Sequence, residues 1–199
     1  SRLREVNLSR SELSTTDLRD ANLISANVNN SYAVRADLYG ANLLGANIRN
    51  SRLKYANLAK ANLSQTNLID AELVYANLKG ANLSKASLRQ ASLYRANLAG
   101  ANLQNARLSG ATLQMAYLTG ASLRNARLNG VDLQGADLRA ADLSGIEMEH
   151  LTSIAGADFS HVQGLGDDLR SKLLGRTAAE LDVWNAFTRR TTRQSLTQV

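Results

Sequence analysis

The 199-residue sequence contains no cysteine and no proline, and only 5% of its residues are aromatic. Without cysteine the chain has no disulfide, no thiolate metal site and no thiol nucleophile. No apolar run approaches the ~18 residues that span a membrane, and no signal-peptide pattern opens the chain. With 44% apolar and 20% charged residues, the composition is that of a globular protein rather than a disordered or fibrous one.

What the sequence has in abundance is a five-residue repeat. Every fifth residue from Leu3 to Met148 is apolar or alanine, and 26 of these 30 centres are Leu; the exceptions are Val28, Ala33, Ile48 and Met148. Two residues before the centre, 21 of the 30 units have Ala, as in residues 61–65 (ANLSQ). A period of five fits neither a helix, with its period of 3.6, nor a strand, with its period of two.

The repeat predicts a solenoid. The chain must stay extended to point both the small residue and the Leu inward, and must then turn in the remaining two residues. Nine of the 13 glycines fall on the second residue after a centre, where a turn with positive φ would favour them. Units this short cannot bury an apolar face alone, so stacked copies must share one core.

These repeats resemble the pentapeptide-repeat proteins, and the resemblance covers about three quarters of the chain. It implies an all-β solenoid: a right-handed quadrilateral parallel β-helix with four pentapeptides per coil, or about 7.5 coils for 30 units. Ala33 should leave a thin spot in the core. Asn22, Asn42, Asn62, Asn82 and Asn102, and likewise Asn57, Asn77 and Asn97, should form ladders from coil to coil, which we assign to stability.

The pattern changes near the C-terminus. After Met148 the repeat slips by one residue, around residues 149–151, and we predict a β-helix domain over residues 1–164. Residues 165–199 are predicted to be a helical cap and a frayed tail. Leu169, Leu173 and Leu174 share one face of a first helix ended by Gly175, and a second helix should begin at Thr177 and run to about Arg190.

One face of the solenoid stands out when residues 20 apart are stacked. It carries most of the tyrosines, and we call it the Tyr/Arg face; its candidate partner-binding residues are Tyr32, Val34, Arg35, Tyr55, Val74, Tyr75, Tyr94 and Arg95. One line on it, the Tyr/Arg column, reads Arg35, Tyr55, Tyr75, Arg95 and Met115. Exposed Tyr, Arg and Met are enriched at protein interfaces. The competing interpretation is that tyrosine is a good strand former that stacks on itself.

Charge gives a second signal. The net charge is +6, and no Asp or Glu occurs between Leu73 and Val131. Arg107 should stack on Arg127, on the face that also carries Arg89, which suggests a weaker site for an anion or an acidic partner. A solvated basic surface is the alternative explanation.

The residues indicate no enzyme and no cofactor. His150 and His161 lie near the slip but match no metal-ligand spacing, so we interpret them as surface residues rather than as a metal site. No catalytic triad, phosphate-binding glycine loop or paired acid and base occurs elsewhere in the sequence.

Function is inferred from the resemblance and the Tyr/Arg face together. We predict a non-enzymatic scaffold, with a regulatory role as one form of it, that binds an unidentified protein partner, as in the cyanobacterial theme of binding a regulatory protein. The alternatives are a binder directed at DNA gyrase or nucleic acid, and a purely structural domain of a larger protein. Some family members protect gyrase by mimicking DNA with an acidic surface, and this basic chain departs from that pattern.

The sequence also leads to expectations about the ends of the solenoid, the oligomeric state and the cellular compartment. Leu3 and Leu8 should lie at an open end, so we expect upstream residues, another domain or a second copy to cover it. We expect a monomer or a dimer formed through an end, with no small-molecule substrate, no membrane and no nucleic acid as a partner. The expected compartment is the cytoplasm, with a removed targeting segment as the alternative.

Overall fold

Parallel bridges between residues 20 apart build most of the structure, a computed structural model that describes residues 3–197. The first joins Asn7 to Asn27, and four such bridges occur in every 20 residues, so each coil has four sides. We call these sides A, B, C and D. Their central residues are Leu23, Val28, Ala33 and Leu38, respectively, and the equivalent residues every 20 positions along the chain.

The small residue and the Leu of each unit point into one shared core. Ala61 and Leu63 are both fully buried, and Asn62 between them is only half-buried because it points outward. The same alternation recurs in most units from Ala21 onward, and the buried residues form one continuous apolar cluster along the solenoid. Each unit therefore contributes two inward side chains and leaves the others for the surface.

The backbone bonds of one unit explain why the chain turns where it does. On side A, the Asn42 N–H donates to the Ala21 carbonyl at 2.9 Å, and the Leu23 N–H donates to the Asn42 carbonyl at 2.7 Å. The chain then turns, and the Ala26 N–H donates back to the Leu23 carbonyl at 3.0 Å. Ser25, the third residue of that turn, has a φ of 54°. Turns of type II need this left-handed conformation there.

The expected positive φ at this turn position is confirmed. The nine glycines there have φ values from 64 to 72°, and each of the other 21 units places a non-glycine residue in the same conformation. Only the middle residue of each side bridges to the next coil, because the turn takes up the residues around it. The predicted extended sides thus occur as isolated bridges, and residues 3–197 contain no longer strand.

The thin spot expected at Ala33 is confirmed. An apolar cavity of about 20 Å³ is lined by central residues of the first coils, including Val28, Ala33 and Ile48. These three side chains differ from the Leu that fills most equivalent positions, so the core is not completely filled there. Leu3 and Leu8, at the same end of the described chain, are partly buried.

The bridge spacing changes once. It is 20 residues up to the bridge between Arg127 and Glu147, and 21 residues from the bridge between Asp132 and Ser153 onward. One extra residue is therefore accommodated between two bridged sides. Beyond it, Ile154 returns to a buried central position.

Three short helices follow the last parallel bridge: α1 spans Asp167–Leu174, α2 spans Ala178–Leu181 and α3 spans Thr192–Thr197. An antiparallel bridge between Trp184 and Thr191 lies between α2 and α3. Helix α1 is capped by Gly175, as predicted. Of its three leucines, Leu173 is buried and Leu169 and Leu174 are partly buried against the core. Among residues 3–197, no helix has the length and apolar character needed to cross a bilayer. We call residues 165–197 the C-terminal segment.

The prediction of a second helix reaching Arg190 was wrong. Helix α2 ends at Leu181, and Asn185 holds the chain that follows in a loop. The buried Asn185 amide donates to the Gly156 carbonyl at 2.7 Å, and its side-chain oxygen accepts from the Phe187 N–H at 2.8 Å. Asn side chains compete in this way with helical hydrogen bonding.

The prediction of a frayed tail from Thr191 was also wrong as far as Thr197; residues 198 and 199 lie outside the described chain. The Thr191 hydroxyl accepts from the Gln194 N–H, and the Gln194 side chain accepts from the Thr191 N–H. This reciprocal pair is a capping box that starts α3. The α3 side chain of Leu196 is buried in the common core.

Candidate functional site

The Tyr/Arg column forms a continuous stack at the corner between sides C and D. The Tyr55 and Tyr75 rings lie 5.2 Å apart and 8° from parallel. Arg35 lies 5.7 Å from the centre of the Tyr55 ring, and Arg95 lies 5.8 Å from that of Tyr75. The Arg95 Nε then donates to the Met115 sulfur at 3.4 Å. The stacking inferred from the 20-residue spacing is confirmed.

The explanation of this column as strand-forming tyrosines was wrong. Tyr55 and Tyr75 occupy the left-handed turn position, with φ values of 59° and 57°, and not a strand. An L-residue in this conformation costs about 1–2 kcal/mol relative to the right-handed one, and glycine avoids that cost. Local backbone preference therefore does not explain why tyrosine is at these corners.

Cations and one carboxylate flank the column on side C. The Arg52 guanidinium lies 4.9 Å from the centre of the Tyr32 ring. Arg52 and Lys54 both pair with Glu72, with nitrogen to oxygen distances of 3.7 and 3.0 Å. The Tyr75 and Tyr94 rings are nearly perpendicular, with their centres 5.8 Å apart. This part of side C thus combines aromatic rings with a compact charge cluster.

The candidate residues differ in accessibility. Tyr32, Arg35, Tyr55 and Tyr75 are exposed, while the other four candidates are half-buried: Val34, Val74, Tyr94 and Arg95. The structure thus brings all eight candidates onto side C and the corner that follows it. The two valines contribute less accessible area than the tyrosines.

The two arginines of the column lack a carboxylate partner. Among residues 3–197, neither Arg35 nor Arg95 lies within ion-pair distance of an Asp or Glu. The nearby Tyr75 and Tyr94 raise the pKa of Arg95 further above its usual range, so its positive charge is permanent. The column therefore presents unneutralised guanidinium groups on both sides of the tyrosine stack.

A groove lies beside the Met115 end of the column, and the sequence did not predict it. It has a volume of about 290 Å³, and its lining residues come from side C, the corner that follows it and the C-terminal segment: Tyr94, Gln114, Met115, Gln134, Gly135, Ala155, Val183, Trp184 and Ala186. Trp184 was expected on a helix, and only the loop around Asn185 places it beside Met115. We call this feature the Met115–Trp184 groove.

Exposed large apolar side chains concentrate on this part of the molecule. The six found among the described residues all lie on side C, at its corner or in the loop of the C-terminal segment: Tyr32, Tyr55, Tyr75, Val183, Trp184 and Phe187. Phe187 packs on Tyr117 of side D at 4.9 Å, just past the same corner. Exposed apolar groups gathered in one region are typical of interaction surfaces.

The second, weaker candidate site lies on side B. Arg107 and Arg127 face each other across neighbouring coils as predicted, and both are exposed, as is Arg89. Glu147 lies on the next coil and pairs with Arg127 at 3.2 Å. This carboxylate reduces the like-charge repulsion without any external anion, so the geometry gives the anion-site hypothesis no further support.

The surface interpretation of the two histidines rests on their surroundings. His161 is exposed on the last bridged coil, and His150 is exposed within the stretch that holds the extra residue. Within residues 3–197, no group of three or more metal-binding side chains is close enough to hold an ion.

Comparison with known proteins places the chain in a family. A family model described as pentapeptide repeats matches eight copies, within residues 1–33, 16–54, 34–68, 50–84, 76–114 and 106–145. The chain belongs to the pentapeptide-repeat family. The fold of that family is a right-handed quadrilateral β-helix, in keeping with the parallel bridges of the four sides.

Several solved structures of pentapeptide-repeat proteins are similar to this chain. HetL from the cyanobacterium Nostoc sp. strain PCC 7120, involved in heterocyst differentiation regulation, is 31% identical over 81% of this chain and 84% of its own, with a TM-score of 0.38. The protein alr5209 from the same organism is 36% identical over 49% of this chain and 84% of its own, with a TM-score of 0.43.

A more distant similarity is to full-length QnrB1, a plasmid-mediated fluoroquinolone resistance protein. It is 19% identical over 83% of this chain and 97% of its own, with a TM-score of 0.43. No curated protein matches the sequence significantly.

Proposed function

We propose that this pentapeptide-repeat protein is a non-enzymatic scaffold that binds a protein partner through the Tyr/Arg face. The observation that carries the proposal is the exposed parallel stack of Tyr55 and Tyr75, bounded by Arg35 and Arg95. Large aromatic side chains exposed at neighbouring corners offer apolar contact area to a partner. Tyrosine and arginine are also the side chains that most often dominate binding energy at protein interfaces.

The column is suited to binding because its side chains are already ordered. Arg35, Tyr55, Tyr75 and Arg95 support one another by ring stacking and by contacts between guanidinium and ring. Ordering a long side chain on binding costs about 0.5–1.5 kcal/mol, and a pre-stacked column has met much of that cost during folding. The regular bridges beneath it hold the spacing of the stack fixed.

Regulation by binding is the mode of action that follows from this proposal. A scaffold without catalytic groups changes its partner only by occupying or positioning part of the partner's surface. We propose no small-molecule substrate, cofactor or membrane contact, and we place the protein in the cytoplasm.

The finer architecture is part of the same proposal. We infer a right-handed β-helix of about 7.5 coils over residues 1–164, from 30 units at four per coil. Residues 165–199 would form a separate closing element on the last coil. Its contacts support this role, since the Thr192 hydroxyl donates to the Ile154 carbonyl at 3.0 Å and Arg176 donates to the Leu151 carbonyl at 3.2 Å.

Affinity capture from lysate of the source organism tests the proposed function. The test variant is Tyr55→Ser/Tyr75→Ser/Arg95→Ser. The matched control is Gln65→Ser/Lys85→Ser/Asn105→Ser, at the same left-handed turn position of the diagonally opposite corner. Circular dichroism must first show that both variants fold like the wild type.

We expect a partner captured by the wild type and the control variant to be lost by the test variant. Capture of the same partner by all three proteins would contradict the proposal and leave the column as a stabilising ladder. Capture by none of them would favour a purely structural domain.

A further inference from the structure

The Tyr/Arg column and the Met115–Trp184 groove form one continuous surface. Met115 belongs to both, because it accepts the Arg95 hydrogen bond and lines the groove. The next corner along the column is Gly135, where a Cβ atom would lie 3.3 Å from the Met115 Cγ. Glycine at this corner therefore leaves the floor of the groove open between Met115 and the loop that carries Trp184.

We propose that the Met115–Trp184 groove is the anchor pocket for an acidic segment of the protein partner. One apolar side chain of that segment would enter the groove, and its carboxylates would pair with Arg95 and Arg35. This inference rests on the proposed protein-binding function and names the kind of partner segment that the site takes.

The apolar part of the inference comes from the walls of the groove. Trp184 is 63% exposed, an unusual state for a ring of that size, and Val183 and Met115 provide further apolar walls. The groove has a volume of about 290 Å³, which gives room for a large apolar side chain.

The groove is also held in shape from behind. The Asn185 amide donates to the carbonyls of Gly135, Ala136 and Gly156 at 3.2, 3.3 and 2.7 Å. These three bonds fix the loop against the last coils, so Trp184 projects from a rigid base. A preformed pocket needs less ordering on binding than a flexible one.

The acidic part of the inference comes from charge complementarity. Arg35 and Arg95 have no carboxylate partner within the described chain, and no acidic residue occurs between Leu73 and Val131. Two side C carboxylates bond to other groups instead: Glu72 pairs with Lys54 at 3.0 Å, and Asp132 accepts from the Gln114 amide at 2.6 Å. Carboxylates from a partner would neutralise both arginines.

The spacing of the arginines predicts the pattern of the partner segment. Arg35 and Arg95 are three coils apart, about 14 Å at the usual separation of about 4.8 Å between paired chains. An extended peptide covers that distance in about four residues. The groove extends from Tyr94, next to Arg95, over the coils beyond it. The segment should therefore carry an apolar residue, an acidic residue shortly after it and a second acidic residue about four positions further along. Either chain direction is compatible with this order.

A random 12-residue peptide library displayed on phage, selected on the full chain, tests this inference. Enriched peptides should combine a large apolar residue with two acidic ones at that spacing. A synthetic enriched peptide without tryptophan is then titrated against the protein. Trp184 is the only tryptophan of the chain, so a blue shift of its fluorescence reports that the groove has been filled.

Two single substitutions separate the parts of the site. We expect Met115→Ser and Arg95→Gln each to weaken peptide binding about tenfold, the equivalent of about 1.4 kcal/mol. Asn105→Ser and Lys85→Gln, at the diagonally opposite corner, should leave the affinity unchanged. Raising the salt concentration should weaken wild-type binding more than binding to Arg95→Gln.

Other outcomes overturn the inference in distinguishable ways. Binding that needs Tyr55, Tyr75 and Arg95 but neither shifts Trp184 fluorescence nor depends on Met115 would reject the anchor pocket and keep the proposed function. Binding that is indifferent to the column as well would count against both. Enriched peptides without acidic residues, or no enrichment, would reject the acidic segment. A fluorescence shift that grows with protein concentration alone would identify a second copy of the chain as the occupant.

Discussion

Sides A and C have the same backbone and different outward side chains. On side A, the bridging residues Asn22, Asn42, Asn62, Asn82 and Asn102 each accept the N–H of the residue two positions later, at 3.0–3.3 Å. On side C, the bridging residues between positions 32 and 112 are Tyr, Arg, Glu, Ser and Thr. None of them makes such a bond within the described chain.

The comparison distinguishes the outward side chains that stabilise the fold from those that the fold does not need. Bonds from coil to coil add a ladder on side A, from Asn62 to Asn42 at 3.1 Å and from Asn82 to Asn62 at 3.3 Å. Sides B and D carry such bonds too, from Asn47 to Asn27 at 3.2 Å and from Asn77 to Asn57 at 3.2 Å. Side C gives up these bonds over five coils and carries tyrosines, arginines and a charge cluster instead. The fold does not require this choice, which is why we look for the function on side C.

Breaking the side A ladder should have the largest effect. Asn62→Ala/Asn82→Ala removes five side-chain hydrogen bonds that involve these two amides. At about 0.5–1.5 kcal/mol each and partial exposure, the free energy of unfolding should fall by about 2–4 kcal/mol. The melting temperature should drop by about 5–15 °C for a protein of this length.

Partner or peptide binding provides the control for that ladder variant. Binding measured well below the melting temperature should be unchanged, since side A carries no part of the proposed surface. An unchanged melting temperature would refute the assignment of the ladder to stability.

Building a ladder on side C should have an intermediate effect of opposite sign. Arg52→Asn/Glu72→Asn/Ser92→Asn places amides at three consecutive bridging positions and removes exposed ion pairs that contribute little. We expect a gain of about 1–2 kcal/mol in the free energy of unfolding, measured by denaturant titration. The control Arg52→Ala/Glu72→Ala/Ser92→Ala removes the same side chains without adding amides. Equal stability of the two triple variants would show that side C cannot accept a ladder.

The smallest effect is expected at Asp142, a bridging residue near the C-terminal end of side A. Hydrogen bonds from the Ser144 hydroxyl and N–H hold the pKa of Asp142 below its ordinary value. A carboxylate with a lowered pKa stabilises the folded state above its unfolded pKa of about 3.9, and that contribution disappears as the pH falls through the folded-state pKa. Asp142→Asn should thus cost less than about 1 kcal/mol at pH 7.

Thermal unfolding as a function of pH checks this last prediction. The difference between the wild type and Asp142→Asn should close as the pH falls below about 4. The cost of Asn82→Ala, which involves no ionisable group at position 82, serves as the pH-independent reference. A gap for Asp142→Asn that stays constant down to pH 2.5 would contradict the assigned cause.

The repeat was predictable because its interactions are periodic. Each unit makes the same bonds to the unit 20 residues away, so the spacing of Leu and Gly predicted a solenoid with left-handed corners. The parallel pairing and the four units per coil came from the resemblance to the pentapeptide-repeat proteins. The C-terminal segment has no such period. Asn185 bonds to carbonyls 29 to 50 residues earlier in the chain, and local pattern cannot anticipate contacts at that distance.

The periodic part of the candidate site was also predictable. Stacking residues 20 apart identified the column from Arg35 to Met115, since every member occupies the same position of its unit. The Met115–Trp184 groove depends on where a non-repetitive loop folds back, so it was missed. The one available signal was the capping-box pattern of Thr191 and Gln194, which starts a new helix and argues against a helix that continues through Trp184.

The 20-residue winding has a consequence for how this protein can change in length. Inserting four pentapeptides between Tyr75 and Arg95 would lengthen the solenoid and leave the column and the groove aligned. Inserting one there would turn everything above it by one side and carry Arg95 and the groove away from Tyr75. The single extra residue after Glu147 lengthens the chain without such a turn, since Gly135 and Gly156 still occupy the same corner. The winding therefore keeps the column and the groove on the same corner of the solenoid, and only whole coils can be added or removed without separating them.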